Sequence, residues 1–594
     1  MSQRFSTLRR LLNESPRREH WEALWLLFLT WPEDAEKSLA LDYAQQHLEH
    51  WAREDRHLTS DQLKRLADLA GLYKTDQSLS QFWQHPAFVP LWPLLRSLHT
   101  RYSLWHARDV EHLGAWSGLA HLDSLVMEGE SLGNSGFARL VKQGALTKVR
   151  SLTLAFNQVQ GSAWKMQDSP EPWALEHLSL RDNSFQPSEL SALLRSPKMS
   201  SLRSLSLEGD AVRFEYGQLQ EMGAALADGP TLESLRLRAL RDWPGSGLQL
   251  LLRGLGRDIK ELTLQDLSLE HWFVQQNTSW LSQWSLRSLD LSGNDFPFED
   301  ILELGQNQGL GTLEELRLER CSLCDEGLTA LTMAPMLTGL KRLSLANNSF
   351  GDRGTLLLLR SALVQSLESL ELDLTHCSEV GIQGLCRSPL LGKMKTLRLG
   401  EEVFSPTTAA LLSQTLGTDS LECLDLSDNT LSPLLTELMV QSRGFSSLRT
   451  LRLQHCQLTP DLLNEWSKAP WWSQLRVLDL SQNPLRGLDV GWLLDSAPAL
   501  EECHLEHCEL SAGALSGLSA MSQSSRVHTL SLGHNWLGSE DVETLLAVDS
   551  LPALVTLQLR GNTMPSELRK KLFNAFPFPR YNLMIESPSA TYLR

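Results

Sequence analysis

Four groups of residues in this 594-residue chain have types and spacings that could do chemistry. The first is Glu502, His504, Glu506, His507 and His534, with His455 upstream. Imidazole and carboxylate groups that converge across strands can hold a transition metal. The second is Cys321-x-x-Cys324, the spacing of half a zinc site, with no matching second pair. The third is a column of charges at nearly constant intervals: Asp290, Arg317, Ser344, Asp373, Arg398, Asp425, Arg452, Asp479, His504 and Ser531. Acid alternates with base along it. On neighbouring strands such residues either pair with one another or form a charge pattern matched to one partner, which confers specificity and on-rate. The fourth is Arg236 and Arg238, with Arg241 close by. Histidine also precedes cysteine three times (His376-Cys377, His455-Cys456, His507-Cys508), as a repeat-consensus residue would.

The elements that must position these residues belong to a repeat. The unit Leu-x-x-Leu-x-Leu-x-x-Asn/Cys-x-apolar recurs seventeen times, most often every 27 residues, and is plain in the stretch from Leu421 to Leu431. With the second leucine as anchor, the series runs from Leu125 to Leu557. It includes Leu343, Leu372 and Leu397, spaced 29 and 25 residues apart, and a 30-residue step from Leu205 to Leu235. Two residues after the anchor the column is leucine in sixteen units, with Met127 the exception; seven after, it is apolar except at Asp242 and Glu379. A fixed period of this length predicts a solenoid. Leu-x-Leu predicts a strand with both leucines on one face, and stacked units bury that face.

The column five residues after the anchor carries Asn157, Asn183, Asn294, Asn348, Asn429, Asn483, Asn535 and Asn562, or Cys321, Cys377, Cys456 and Cys508. It fails at Glu130, Asp210, Leu240, Leu267 and Glu402. Asparagine donates and accepts together, so this column is predicted to satisfy buried backbone groups where each strand turns away. About fifteen residues then remain before the next strand, often with helical apolar spacing.

The units Leu313–Leu323 and Leu340–Gly354 resemble the cysteine-type and asparagine-type units of leucine-rich repeats of the ribonuclease-inhibitor type. The resemblance spans residues 119–564. It implies an α/β leucine-rich-repeat solenoid, a horseshoe with a parallel concave sheet and convex helices. The spacing of 27 departs from that family's alternating 28 and 29. The fold hosts many binding roles, so function must come from its surface.

Residues 1–118 show no such unit. Prolines 16, 32, 86, 90 and 93 divide them into expected helices at 5–13, 18–31, 33–53 and 60–73. Eight of the nineteen tryptophans fall here. The segment reads as an all-α cap or companion domain, and 565–594 as a C-terminal cap.

Net charge is 54 − 71 = −17, which argues against a nucleic-acid footprint. No secretory leader or membrane-spanning run is visible. All eight cysteines lie at or after residue 321, and most have seats in the repeat, as expected of thiols in a reducing compartment. Sixteen repeat steps of about 4.8 Å make an inner arc on the order of 75 Å, the scale of a protein partner.

The expectation is therefore a monomeric, cytoplasmic interaction scaffold. It has no catalysis, cofactor or metal, and no nucleic-acid or membrane partner. It binds a protein through Asp290, Arg317, Asp373, Arg398, Asp425, Arg452, Asp479, His504 and Glu506. The alternative is a GTPase-activating or GTPase-binding regulator, because activators of the Ran GTPase share a similar repeat.

Overall fold

The computed structural model describes residues 3–584, apart from 14–17, 53–55, 60–61, 64–65, 67–69, 71, 73–84, 102–115, 143, 145, 165–172, 184, 210–213, 241–246, 270–277, 373–376, 400–406, 408–410, 412–419, 432–436, 438, 441–444, 523–524, 548–549, 552–553, 555, 563–567 and 569–581. The chain divides into two compact units. The first is Met1–Asn294 with Asn307–Thr312; the second is Asp295–Gln306 with Leu313–Arg594.

The first unit begins with α1 (Gln3–Asn13), α2 (Arg18–Leu29) and α3 (Ala35–Leu48). The expected helices over 18–31 and 33–53 are thus shorter at their ends. Thr30 turns its hydroxyl back to the Leu26 carbonyl at 2.8 Å as α2 stops ahead of Pro32. Asp34 then caps α3 by accepting from the Lys37 amide at 2.8 Å. Aromatic contacts run from these helices into the repeat: Trp25 lies 5.6 Å from Trp92, and Trp92 packs edge-on to Trp116 at 4.7 Å. Arg56 is buried and ties the α3 end to the next turn, donating to the carbonyls of Leu48 (3.1 Å) and Leu94 (2.8 Å).

Nine parallel strands follow among the described residues of this unit, from β1 (His57–Thr59) and β2 (Ser97–Arg101) through β3 (Ser124–Glu128) to Ser288–Asp290. Leu58 and Leu98 stand in register with Leu125, upstream of the first unit that the consensus reveals. Leu98 is 27 residues before Leu125, but Leu58 is 40 before Leu98, which hides it from a search by period. The 30-residue step from Leu205 to Leu235 keeps its register. Its extra residues lengthen the return helix Tyr216–Asp228 to 13 residues, against 8 and 9 for Asp325–Thr332 and Asp352–Arg360. That helix lies close to the next one at Gly223, where a Cβ would fall 2.1 Å from the Leu250 carbonyl oxygen.

The second unit holds eleven parallel strands among its described residues, from Glu315–Arg317 to Asn582–Met584. One expected register is corrected here. Leu370, not Leu372, pairs with Leu343 and Leu397, so both spacings are 27. The segment Leu370-Glu371-Leu372-Asp373-Leu374 alternates, and a slip of two residues keeps the same side chains inward. Apolar pattern alone cannot choose between the two registers; the following helix does. Glu379 opens the helix Glu379–Arg387 and is no break in an apolar column. Ser378 caps that helix, and the Ser378 and Gly381 amides donate to Asp352 at 2.7 and 2.9 Å. Cys377 accordingly leaves the ladder column: its Sγ faces Asp352 Oδ1 at 3.7 Å. Thr375, five residues after Leu370 in the sequence, lies outside the described residues.

Within each unit the inward leucines are buried, including Leu125, Leu235, Leu316, Leu424 and Leu530. The return helices pack on one side of the sheet, and the strands' alternate residues line the other.

Candidate interaction surface

The buried column behind the strands explains what the asparagines do. Asn483 donates Nδ2 to the carbonyls of Leu453 (2.7 Å) and Leu480 (2.8 Å), and its Oδ1 accepts from the amides of Cys456 (2.8 Å) and Leu458 (3.0 Å). Asn348 and Asn535 repeat the pattern one unit at a time. Cysteine takes the same seat with a weaker group: Cys456 and Cys508 donate Sγ to the carbonyls of Leu426 (3.0 Å) and Leu480 (3.1 Å). Where the column fails, Glu130, Leu240 and Leu267 are buried all the same. Asp210 and Glu402 lie outside the described residues.

Burial pushes the thiols of Cys456 and Cys508 up to about 12, and that of Cys503 higher still. Cys324 is exposed, while Cys377 and Cys423 are half-buried. A thiol reagent near neutral pH is therefore expected to modify Cys324 first, Cys377 and Cys423 slowly, and Cys456, Cys503 and Cys508 only after unfolding. Peptide mapping of the labelled native protein checks the order; early labelling of Cys456 would refute it. The pair Cys321-x-x-Cys324 divides in the same way, Cys321 buried in the ladder and Cys324 in solvent ahead of a helix.

The opposite face of the sheet carries the charged column. In the first unit Asp290 accepts from the Ser292 amide at 2.9 Å. Arg236 and Arg238 are exposed on the Leu235 strand, and Arg238 pairs with Glu208 at 3.3 Å. Arg241 lies outside the described residues.

In the second unit Arg317 donates to Glu315 at 2.8 Å and approaches Glu319 at 3.7 Å, while Arg342 shares Glu315 at 2.9 Å. Burial raises the Glu315 carboxyl, but the hydrogen bonds from Arg317 and Arg342 outweigh it and hold it below the usual carboxylate range. Glu371 takes the register position beside Arg398. Asp373, expected there, lies outside the described residues. Asp425 and Asp479 are buried, each accepting from the serine amide two residues on at 3.0 Å (Ser427 and Ser481). Arg398 reaches Asp425 at 3.4 Å. Arg452 is exposed.

The histidine group separates into three. His504 lies on the strand face, with Nδ1 3.0 Å from Ser531 Oγ and Nε2 3.5 Å from Glu502. Glu506, on the same face, donates its amide to the Ser481 hydroxyl oxygen at 3.2 Å. His455, His507 and His534 sit instead at the turn after the strand, all with left-handed backbone (φ 52, 54 and 54). His455 pairs with Asp428 at 3.2 Å, and the His507 and His534 rings stack at 4.3 Å. Among the described residues no three metal-ligand side chains converge.

A second charged ladder runs along the strand entrances, two residues before each anchor. In the first unit Arg150 lies 3.4 Å from Glu176, and Glu233 sits between Arg203 (2.8 Å) and Lys260 (2.6 Å). In the second unit Lys341 meets Glu314 at 3.1 Å and Lys395 meets Glu368 at 2.6 Å. Its signal in the sequence is the alternation of charge at the first variable position of the unit. Hydrogen bonds and charge from Lys260 and Lys395 lower the Glu233 and Glu368 carboxyls.

A group whose folded pKa is depressed stabilises the fold fully above its unfolded value, about 4.3 for glutamate. That contribution is lost as pH falls through the lower folded value. Thermal melts by circular dichroism should hold steady near neutrality and fall in acid. The E315Q/E368Q variant should start lower and fall less steeply; identical acid limbs would refute the assignment.

A parallel strand ladder, a return element on one side and an Asn/Cys column that pairs successive units together define an α/β leucine-rich-repeat solenoid. The Leucine Rich Repeat family model matches residues 474–495 of the chain. No curated protein matches it. An internalin from Listeria monocytogenes is similar at 17% identity, over 75% of this chain and 88% of that one, with a TM-score of 0.28. A Leptospira interrogans leucine-rich-repeat protein is similar at 20% identity, over 75% and 92%, with a TM-score of 0.31. TLR13, solved in complex with ssRNA13, is similar at 17% identity, over 84% and 75%, with a TM-score of 0.39. No helix among the described residues is long and apolar enough to cross a membrane.

Proposed function

We propose that the chain is a non-catalytic scaffold that binds a protein partner on the sheet face turned away from the helices, the concave face of such repeats. One observation carries this reading. In the second unit the outward side chains of adjacent strands form a continuous polar surface in strict register, with Arg317, Arg398 and Arg452 exposed. Ten steps of about 4.8 Å give a surface on the order of 50 Å, larger than a metabolite requires. Asp425, Asp479, His504 and Glu506 contribute its polar ground, with Asp373 in the same stretch of chain, and Asp290 holds the same column in the first unit.

The ribonuclease-inhibitor-like subtype is supported by the alternating Cys/Asn hydrogen bonding at Cys456–Asn483 and Cys508–Asn535. A cytoplasmic location is supported by eight free cysteines. Within residues 1–118 the helices α1–α3 act as the N-terminal cap ahead of β1 and β2, 119–564 act as the binding solenoid, and 565–594, with the strand Asn582–Met584, act as the C-terminal cap; the protein works as a monomer.

The test compares capture of partners from lysate by the full chain, by Thr450→Trp on the sheet face and by Glu465→Trp on the helix side. Thr450→Trp should abolish capture and Glu465→Trp should leave it intact. Equal capture by all three would overturn the reading.

A further inference from the structure

We propose that the partner presents an acidic segment, and that Arg398 and Arg452 grip its carboxylates. This rests on the sheet-face reading above and adds the partner's chemistry.

Arg398, Asp425, Arg452 and Asp479 follow one another in register on four adjacent strands. Simple alternation would neutralise them pairwise, but the structure treats the two signs differently. Asp425 is only 6% exposed; it accepts from the Ser427 amide at 3.0 Å and the Ser427 hydroxyl at 2.6 Å, with Arg398 Nε at 3.4 Å. Asp479 is 7% exposed and accepts from the Ser481 amide at 3.0 Å and from the Gln454 side-chain amide. Both carboxylates are thus turned into the strand ends and occupied there. Arg452 lies in register between them, yet it forms no ion pair among the described residues and its side chain is exposed. Arg398 keeps 48% of its side chain exposed despite its pair. The acids are held in the fold and the guanidinium groups stand out of it.

The neighbours on this patch, Thr396, Cys423 and Thr450, are short. Two strand spacings separate Arg398 from Arg452, about 10 Å. An extended segment turns every second side chain to one face, about 6.6 Å apart, so carboxylates two residues apart would meet both through the long arginine side chains. Guanidinium matches carboxylate with two parallel hydrogen bonds. Arg317 offers a comparison on the same face, because Glu315 hydrogen-bonds it at 2.8 Å, closer than the 3.4 Å from Arg398 to Asp425. A nucleic acid lays down a continuous run of phosphates and fits less well than a short segment whose two carboxylates meet the two arginines, because the face continues into Glu502 and Glu506.

Fluorescence anisotropy with a short labelled Glu-rich peptide tests this on the full chain. Probes of a Lys-rich peptide and a single-stranded oligonucleotide, at low and high salt, complete the set. The Glu-rich peptide should bind, and more weakly as salt rises. Arg398→Ser and Arg452→Ser should each weaken it about ten-fold, and Arg317→Ser by less than about two-fold. Circular dichroism melts confirm that each variant is folded. Equal binding of the Lys-rich peptide or the oligonucleotide, or no effect of Arg452→Ser, would overturn the proposal. If the Glu-rich peptide fails while Thr450→Trp still abolishes partner capture, the acidic chemistry is wrong and the sheet-face reading stands. If Thr450→Trp leaves capture intact, both fall.

Discussion

Asn483→Ala should lower the free energy of unfolding by roughly 3–5 kcal/mol, the largest effect expected of a single ladder residue. The side chain bonds two carbonyls and two amides at 2.7–3.0 Å, all buried between successive units. Alanine removes all these bonds at once; the Leu480 carbonyl keeps the Cys508 thiol, and the other groups lose the side-chain partner that bonds them. Each stranded group costs about 1–3 kcal/mol, and the sum is damped by local relaxation. Cys456→Ala is the matched control. Its thiol donates to the Leu426 and Gln454 carbonyls, and sulfur is a weaker hydrogen-bonding group than the side-chain amide, so the loss should be about 1 kcal/mol. Urea unfolding of both variants checks the contrast. Similar losses at the two sites would show that the column acts by filling space and not by hydrogen bonding.

Trp25→Ala should cost about 3–5 kcal/mol, for a different reason. Trp25 is completely buried and touches Trp21, Phe88 and Trp92, which continues to Trp116 at the start of the repeat. Its indole nitrogen has no hydrogen-bond partner among the described residues, so the loss is packing and cavity alone. Repeat architectures couple mainly to nearest neighbours, which keeps the damage local. Amide exchange should speed up in α1–α3, β1 and β2, while the strands of Leu424 to Leu530 keep their protection. Uniform loss of protection along the chain would contradict this.

Particular residues show how far the sequence could be read. The anchors from Leu125 to Leu557 could be placed because an inward column tolerates little besides leucine, and all but one fall in register. Leu372 failed because three leucines alternate there, and a two-residue slip leaves the apolar face unchanged. Leu58 was missed because 40 residues separate it from Leu98, outside any period. The charged column was visible as a list of residue types. The split between buried Asp425 and Asp479 and exposed Arg452 was not, although the recurring Asp-x-Ser (Asp290, Asp425, Asp479) was its trace.

The sequence by itself determined the period, the inward leucines and the Asn/Cys column. Each of these repeats at a fixed spacing and answers to one demand, burial with every backbone group bonded. Tertiary structure decided the register at Leu370, the strands that precede the consensus and the way each charged side chain turns. Those depend on contacts between units, where a serine amide two residues on, or a helix cap one unit away, competes for the same carboxylate. A periodic pattern says which residues are neighbours; only the packed chain says which neighbour each charge chooses.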